Sequence, residues 1–404
     1  MSAARARFLS TWSGPAGIGR DHRSGGYHRH GFDDADLSLR EWFVEQAERR
    51  GLATETDRSG NLWAWWGDPE PGAVAVGSHL DTVPGGGAFD GALGVVGGLL
   101  AVDGLRERGV RPSRSLAVVC FTETEGGRFG VPGLGSRLLT GSLDPDAARR
   151  LHDDHGCSLA EAVRRAGVDP THLGPDPVRI ATLGAFVELH LEQGREMTTR
   201  HPGALVAVGA EIAARGRWSV LVTGRTDHAA ATASRDRRDP MIPAAAAVLA
   251  AREATDADHS VRATVARLRA EPDDPAVIAG AVRLVLDVTS PSARRTAVVV
   301  DRILAPVRER ATAEGCTVVV RRESLQDNAL LDTGLGLQLS AALDAPVLPS
   351  AVGHDAGVLA PSVPSAMVFV RNPSGISHAP EEYLDPDDCV AAVDRLTDAL
   401  QTLV

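Results

Sequence analysis

The strongest constraint on the fold of this chain is a pattern of four short apolar runs. Each run is followed by a polar loop with glycine and then by a helix-like stretch. The runs cover residues 73–78, 115–121, 185–189 and 365–370. Strands that alternate with helices are typical of α/β domains. In an open α/β sheet, functional groups collect beyond the carboxyl ends of the strands. We therefore expect the chemistry of this protein in the loops that follow these runs.

The middle of the chain has a different pattern. Its apolar runs predict strands over 217–222, 261–269, 282–288 and 316–322, and helices over 240–254 and 293–313. The resulting order, β-α-β-β-α-β, is that of a ferredoxin-like domain. A chain of 404 residues is long for one compact core. We predict two domains, a metal-binding α/β domain formed by 1–211 and 328–404 and a smaller inserted domain formed by 212–327.

Composition excludes several classes of function. The net charge is −11, with acidic and basic residues interspersed, which argues against a nucleic acid or an anionic membrane as the partner and favours a small-molecule substrate. All 42 basic residues are arginine. Without lysine, neither a lysine Schiff base nor a P-loop can form.

Cysteine usage and hydropathy suggest a compartment. The four cysteines lie far apart with no CxxC pair, so we expect neither a disulfide framework nor a cysteine zinc site. The first residues do not resemble a signal peptide, and no apolar run reaches the length of a membrane span. These observations predict a cytoplasmic protein.

Side chains able to bind metal ions follow each of the four predicted strands of the larger domain. They are His79, Asp90, Glu125, His190 and His378. Imidazole and carboxylate together suit zinc and neighbouring divalent metals, and a carboxylate can bridge two ions. A single histidine at a strand end is more often a hydrogen-bonded structural residue. The prediction depends on all five arriving at one edge of the sheet.

Four longer sequence segments resemble those of a known family. They are GSHLDTVPGGGAFDG at 77–91, HLEQG at 190–194, GHDAG at 353–357 and SGISHAP at 374–380. Over nearly its whole length the chain resembles the metallopeptidase-like family of aminoacylases, N-carbamoyl-L-amino-acid hydrolases and allantoate amidohydrolases, especially the last two. The resemblance implies two divalent metal ions, zinc in the first place, with manganese, cobalt or nickel as alternatives. It assigns one ion to His79 and His190, the second to Glu125 and His378, and the bridge to Asp90.

The same resemblance implies roles for further residues. Asp81 matches the carboxylate that orients the imidazole of the first ligand. In the stretch 224–229, His228 matches a histidine that donates a hydrogen bond to the oxyanion in the partner subunit's active site. Gln193 and His354 match positions of the substrate pocket. A homodimer, with the inserted domain as lid and dimerisation domain, is implied as well.

The chain departs from its relatives where a proton acceptor is expected. The relatives carry two adjacent glutamates, a general base and a metal ligand, and the glycine-x-arginine-phenylalanine that follows sets the register. Here Glu125 is the ligand and Thr124 stands in the base position. A general base contributes on the order of a hundred- to ten-thousandfold in rate. Glu123 could replace it only if the loop bends, because neighbouring residues of an extended segment point in opposite directions.

Two further departures concern the substrate carboxylate. The asparagine and arginine that hold it in the relatives correspond here to Ala276 and Thr289. Without the arginine, the strongest reason to expect a free α-carboxylate in the substrate is lost.

Three hypotheses follow. The first is a divalent-metal-dependent amidohydrolase that cleaves a ureido or linear amide C–N bond, with Glu123 or a substrate group acting as base. The second is the same metal site redirected to non-hydrolytic carbonyl chemistry, such as amide formation, cyclisation, transfer or elimination, in specialised metabolism. The third is a catalytically weak binding protein.

Overall fold

The computed structural model describes residues 2–404, which form two compact units. The first unit contains the chain up to Glu211 together with Leu330–Pro349 and His354–Val404. The second contains Ile212–Ala329 and Ser350–Gly353. No helix in residues 2–404 has the length and apolar character needed to cross a bilayer.

The first part of the described chain contains eight α-helices and six strands. The helices are α1 (Ala3–Gly17), α2 (Asp34–Arg49), α3 (Ala92–Glu107), α4 (Leu134–Thr140), α5 (Pro145–Arg149), α6 (Leu159–Arg165), α7 (Pro177–Thr182) and α8 (Glu196–Arg200). The strands are β1 (Ala53–Thr56), β2 (Leu62–Trp66), β3 (Ala73–His79), β4 (Leu116–Phe121), β5 (Leu183–Leu191) and β6 (Val206–Ile212). Helix α2 begins where Asp33 caps it by accepting a hydrogen bond from the amide of Asp36.

The second unit has an antiparallel sheet covered by two helices. Its elements are β7 (Ala214–Thr223), β8 (Asp227–His228), α9 (Met241–Ala257), β9 (Arg262–Glu271), β10 (Val277–Ile278), β11 (Ala281–Ser290), α10 (Ala293–Ala313) and β12 (Thr317–Gln326). The four long strands pair in the order β12-β7-β11-β9. On β7, alternate residues are buried, and their apolar side chains join a core with those of α9 and α10. The order of the long elements is the predicted β-α-β-β-α-β.

The chain then returns to the first unit. The remaining elements are β13 (Ala329–Leu330), α11 (Thr333–Leu343), β14 (Val347–Ser350), α12 (Asp355–Leu359), β15 (Ser365–Val370) and α13 (Pro386–Gln401). The large sheet has the order β1-β2-β4-β3-β5-β15-β6-β13, with β14 paired to β6. Its central strands β4, β3, β5 and β15 are parallel to one another. A large mixed sheet with a separate small antiparallel sheet confirms the predicted α/β fold class.

The parallel strands explain why functional residues meet at one edge of the large sheet. All residues of β3, β4 and β15 are buried, as expected for strands covered on both faces. Helix α3 packs closely on the sheet because Gly94 has no side chain, and a Cβ there would lie 2.3 Å from the carbonyl oxygen of Leu189. In the parallel register, His79 pairs with Phe121 at the carboxyl ends of β3 and β4. The loops that follow these strands therefore leave the sheet side by side.

Candidate metal centre

The five predicted ligands form two groups that share Asp90. One group is His79, Asp90 and His190, and the other is Asp90, Glu125 and His378. Within each group the possible ligand atoms lie within 4.8 Å of one another. His79 ends β3, His190 lies near the end of β5, and Asp90 immediately precedes the cap of α3. A carboxylate shared by two three-residue groups is the arrangement that a two-metal site requires.

The surroundings of Asp90 test whether a cation fits. His190 Nε2 lies 2.9 Å from Asp90 Oδ1, and His378 Nε2 lies 2.9 Å from Asp90 Oδ2. Oδ1 is buried and has no well-aligned hydrogen-bond donor, although the imidazole is close. Burial would raise the pKa of Asp90, but the two rings outweigh it and hold the pKa well below its usual range. Imidazole nitrogens and carboxylate oxygens thus converge at Asp90, where Oδ1 lacks a well-aligned donor, and this set of atoms fits a divalent cation.

The second group has the same chemistry at a more exposed position. His378 Nε2 lies 3.4 Å from Glu125 Oε1, and the His378 side chain is exposed. Desolvation would lower the pKa of His378, but the carboxylates of Asp90 and Glu125 outweigh it and raise the pKa to about 11. Without a cation, a proton therefore joins these groups. A bound divalent ion would displace that proton.

Asp81 connects one ligand to the loop that carries another. Its carboxylate accepts hydrogen bonds from the amides of Thr124 (3.1 Å) and Glu125 (2.9 Å). Asp81 Oδ1 lies 3.5 Å from His79 Nδ1, and the Asp81 carbonyl oxygen lies 3.0 Å from the same nitrogen. This side chain therefore faces both the His79 ring and the Glu125 loop, as expected of a carboxylate that orients ligands.

Two buried glutamates that the sequence interpretation missed support the same groups. Glu382 Oε1 accepts hydrogen bonds from the amides of Phe89 (2.8 Å) and Asp90 (3.0 Å). Glu188 accepts hydrogen bonds from Ser78 Oγ (2.9 Å) and from the amide that follows Asp355 (2.8 Å). A signal for Glu188 was available, because it lies two residues before His190 and so on the same face of β5. Glu382 has no such periodic relation to the other residues.

Both predicted pocket residues lie against the ligand groups. Gln193 Nε2 lies 3.1 Å from Asp90 Oδ2 and 3.1 Å from His378 Nε2. The His354 ring packs against His190 with 4.6 Å between centroids. Burial, reinforced by the His190 charge, holds the pKa of His354 well below its usual range. His354 is therefore a neutral ring at neutral pH.

The loop after β4 bends, as a displaced base at Glu123 would require, but the bend serves another contact. Glu123 has a φ of 53°. Its carboxylate accepts hydrogen bonds from the amides of Gly31 (2.7 Å), Arg128 (2.7 Å) and Phe129 (2.9 Å). Burial and the Asp81 charge raise the pKa of Glu123 to about 7. Both oxygens of Glu123 are held by backbone amides, so this side chain fixes the loop, and it does not belong to either ligand group. Its role as a base stays a prediction.

Thr124 uses its hydroxyl group within the protein. Thr124 Oγ1 donates a hydrogen bond of 2.7 Å to Asp355 Oδ2. Asp355 is buried, and its other oxygen accepts a hydrogen bond from Ser136 Oγ. Burial, reinforced by the Glu188 charge, raises the pKa of Asp355 to about 7. The position expected for a general base thus holds a hydroxyl group bound to a carboxylate from a distant part of the chain.

In the second unit, His228 is exposed at the end of β8. Its Nδ1 atom lies 3.1 Å from the amide of Ala230 and 3.3 Å from that of Ala231, and both amides donate to it. Nδ1 is therefore the acceptor nitrogen, and Nε2 carries the hydrogen. The carbonyl of Ala276 accepts a hydrogen bond of 2.9 Å from Ala229, so Ala276 adjoins the His228 loop.

Thr289 lies elsewhere in the second unit, buried on β11. Its partner in the antiparallel register is Arg215 of β7. The Arg215 guanidinium is already paired with Asp287, through two contacts of 2.9 Å. Neither Ala276 nor Thr289 supplies a basic group.

Comparison with known proteins agrees with this geometry. The profile of peptidase family M20/M25/M40 matches residues 75–402. An N-carbamoyl-L-amino acid amidohydrolase of Geobacillus stearothermophilus is 35% identical over 92% of each chain. The allantoate amidohydrolase of Bacillus subtilis is 30% identical over 91% of this chain and 92% of its own. A hydantoinase/carbamoylase family amidase from Burkholderia vietnamiensis has a similar structure, with a TM-score of 0.90 and 26% identity over 99% of this chain and 97% of its own.

Proposed function

The chain belongs to peptidase family M20/M25/M40 and is a hydrolase of its amidohydrolase type, and from this premise we propose that it cleaves the C–N bond of a ureido or linear amide substrate with two divalent metal ions. The observation that carries the proposal is Asp90, whose two oxygens each face a histidine of a different ligand group. The natural metal is proposed to be zinc, because histidine and carboxylate ligands suit it.

The side chains around the ligand groups have complementary tasks. Bound divalent ions would polarise the substrate carbonyl and lower the pKa of water towards about 7. His228 offers Nε2–H as a neutral donor for the oxygen that becomes negative when the carbonyl is attacked. Gln193 and the neutral ring of His354 line the ligand groups and would orient the ureido or amide group.

The substrate is proposed to lack a free carboxylate at the position where the relatives bind one. Ala276 has no polar side chain, and Thr289 is buried beside an arginine already paired with Asp287. At neither position would a substrate carboxylate gain a bidentate partner.

Matched substrates test both parts of the proposal. The purified protein is analysed for metal and incubated with N-carbamoyl amino acids, the corresponding N-carbamoyl amino acid amides, allantoate and acylated amines, with products identified by mass. We expect C–N cleavage, abolished by a chelator and restored by zinc, with the amides preferred over the acids. Metal-loaded protein that cleaves none of these substrates would contradict the proposed function.

Assembly and compartment belong to the same proposal. We propose a homodimer in which His228 serves the active site of the partner chain, as the family resemblance implies. All four cysteines are free, which suits the reducing cytoplasm. Light scattering of the purified protein tests the first statement, and a monomer would refute it.

One observation favours a second function, namely non-hydrolytic carbonyl chemistry in specialised metabolism. Thr124 lacks a carboxylate that could deprotonate water directly. Under this alternative, an amine or alcohol replaces water as the nucleophile, and mass analysis of mixtures with added amines would detect the transfer product.

A further inference from the structure

We propose that Thr124 and Asp355 together replace the missing glutamate as a proton relay, with Thr124 touching the nucleophile and Asp355 receiving the proton through it. This inference rests on the proposed function, because it concerns the proton that the attacking nucleophile must lose. It names an acceptor that does not lie in either ligand group and is far from Thr124 in the sequence.

The geometry starts from the hydroxyl group of Thr124. A threonine hydroxyl has one hydrogen to donate and two lone pairs. Its hydrogen is directed to Asp355 Oδ2 at 2.7 Å. Thr124 is only partly buried and directly precedes Glu125, so the proposal places the nucleophile against the lone pairs of this hydroxyl group. Asp355 acts through this hydroxyl group and is thus a positioning residue as well as the final acceptor.

The other contacts of Asp355 suit the transfer of a proton. Asp355 Oδ1 accepts a hydrogen bond from Ser136 Oγ, so both carboxylate partners are hydroxyl groups that can rotate. Glu123 differs, because three backbone amides hold its carboxylate in one orientation. The titratable groups that influence Asp355 are Glu188, His79, Arg137 and Cys120. Burial and Glu188 raise the pKa of Asp355 to about 7, near the value at which an acceptor works best at neutral pH.

The proposed step is balanced in atoms and electrons. The nucleophile's oxygen forms a bond to the carbonyl carbon, and the carbonyl π electrons move onto the carbonyl oxygen. The nucleophile's proton passes to Thr124 Oγ1 while the original Oγ1 hydrogen passes to Asp355 Oδ2. When the C–N bond breaks, the same path returns one proton to the leaving nitrogen. Thr124 and Asp355 are then restored, and no oxidant or other reactant is needed.

Removing and restoring the hydroxyl group is the first test. Thr124→Val preserves shape without the hydroxyl, and Thr124→Ser preserves the hydroxyl. For cleavage of the best ureido substrate, we expect kcat to fall about a hundredfold or more in Thr124→Val, with KM nearly unchanged, and to stay within a few-fold in Thr124→Ser. As a matched control, Thr171→Val removes another threonine–aspartate hydrogen bond of 2.7 Å, at an exposed position, and should leave kcat unchanged. A Thr124→Val protein with wild-type kcat would overturn the relay.

A double-variant cycle then separates a relay from a structural contact. Asp355→Asn should lower kcat about as much as Thr124→Val, and the double variant should be no worse than either, because both residues serve one step. Thr124→Glu should restore activity in the Asp355→Asn background, since a glutamate accepts the proton directly. If Asp355→Asn does not fold, the kcat values of the Thr124 variants still test the relay. Losses that multiply, or a folded Asp355→Asn protein that Thr124→Glu does not rescue, would show that Asp355 is only structural.

A spectroscopic measurement checks the hydrogen bond without relying on turnover. Infrared difference spectra of metal-free protein should contain a carboxyl band that is absent in Asp355→Asn, shifted in Thr124→Val and unshifted in Thr124→Ser. An unshifted band in Thr124→Val would overturn the relay. Metal analysis of each variant distinguishes a failure of the proposed function from a failure of the relay. A wild type that binds no metal or cleaves no ureido substrate refutes the proposed function, whereas an active, metal-loaded Thr124→Val refutes the relay alone.

Discussion

The ligand groups of the first unit and the His228 region of the second unit are built in opposite ways. His79, Asp90 and His190 are almost fully buried. The Asp81 carboxylate faces the His79 ring, and the buried Glu382 carboxylate accepts a hydrogen bond from the Asp90 amide. His228 and Ala276 are exposed, and the hydrogen bonds that hold them come from residues of their own or an adjacent loop. A change in the buried groups therefore disturbs a network, whereas a change in the exposed region alters one contact. We propose that this difference lets the chain retain the predicted metal ligands while the residues proposed to contact the substrate vary.

The largest effect should follow from a substitution of Asp90, the buried residue that both ligand groups share. Asp90→Ala removes the carboxylate shared by both ligand groups, so we expect loss of both ions. Turnover should fall by more than about a thousandfold, or about 4 kcal/mol in activation free energy. Metal analysis and kinetics measure the two losses, with the exposed Asp394→Ala as the control. Full metal content in Asp90→Ala would contradict the two-metal assignment.

On the exposed side, His228→Ala should lower kcat by on the order of a hundred- to a thousandfold, because it removes one oxyanion donor. Metal content and thermal stability should stay at wild-type values, since the side chain contacts only its own loop. Mixing His228→Ala with Asp90→Ala chains should restore part of the activity, because one site of a mixed dimer would be complete. No restoration despite proven exchange of chains would contradict the role of His228 in the partner's site.

The Thr124 loop combines a buried carboxylate partner with a partly exposed hydroxyl group, and a single substitution there tests its role. Thr124→Glu in an otherwise wild-type chain should increase hydrolysis by up to about a hundredfold, because it places a carboxylate directly beside the nucleophile. The gain should be largest for substrates without a carboxylate, since Ala276 and Thr289 are unchanged. Under the non-hydrolytic alternative, the same variant would divert product formation to water, which product analysis by mass would reveal.

The buried support of Asp90 should matter less than Asp90 itself. Glu382→Gln weakens the acceptor that holds the amides of Phe89 and Asp90, so we expect metal affinity to fall about 10- to 100-fold. Competition with a chromophoric chelator measures this affinity. Glu381→Gln, at the exposed neighbouring position, is the matched control and should bind metal as the wild type does.

The smallest effect concerns the pH dependence of stability in metal-free protein. The pKa of Asp355 is about 7 in the folded state, against about 4 in an unfolded chain, so the folded state binds the proton more tightly. The stability that the protonated Asp355 contributes to the folded state is fully present below about pH 4 and is lost as the pH rises through about 7. Thermal unfolding between these pH values should show a falling Tm that is flatter in Asp355→Asn. An equally steep fall in that variant would assign the effect to other buried carboxyl groups.

Much of the fold and of the candidate site could be predicted from local sequence. Continuous apolar runs indicated the buried parallel strands, and the order of strands and helices indicated the antiparallel sheet of the second unit. The five candidate ligands could be selected because each follows a predicted strand, and parallel strands bring their ends to one edge. Their assignment to particular ions stays a prediction.

The carboxylates that act at a distance were not predictable in this way. Glu123 was considered as a base because it adjoins Thr124, yet its positive φ turns it towards the amides of Gly31, Arg128 and Phe129. Glu382 reaches residues almost 300 positions earlier in the chain, a relation that no periodicity records.

Local periodicity and residue type were sufficient to predict the α/β class, the inserted β-α-β-β-α-β unit and the five candidate metal ligands. Tertiary packing determines which carboxylate each of these polar groups contacts. It pairs Asp355 with Thr124 across 231 positions, and it brings Asp90 close to a histidine of β5 and a histidine of the loop before α13. Buried polar groups need hydrogen-bond partners, and packing supplies these from residues that are far apart in the sequence. No local sequence pattern indicates such pairs.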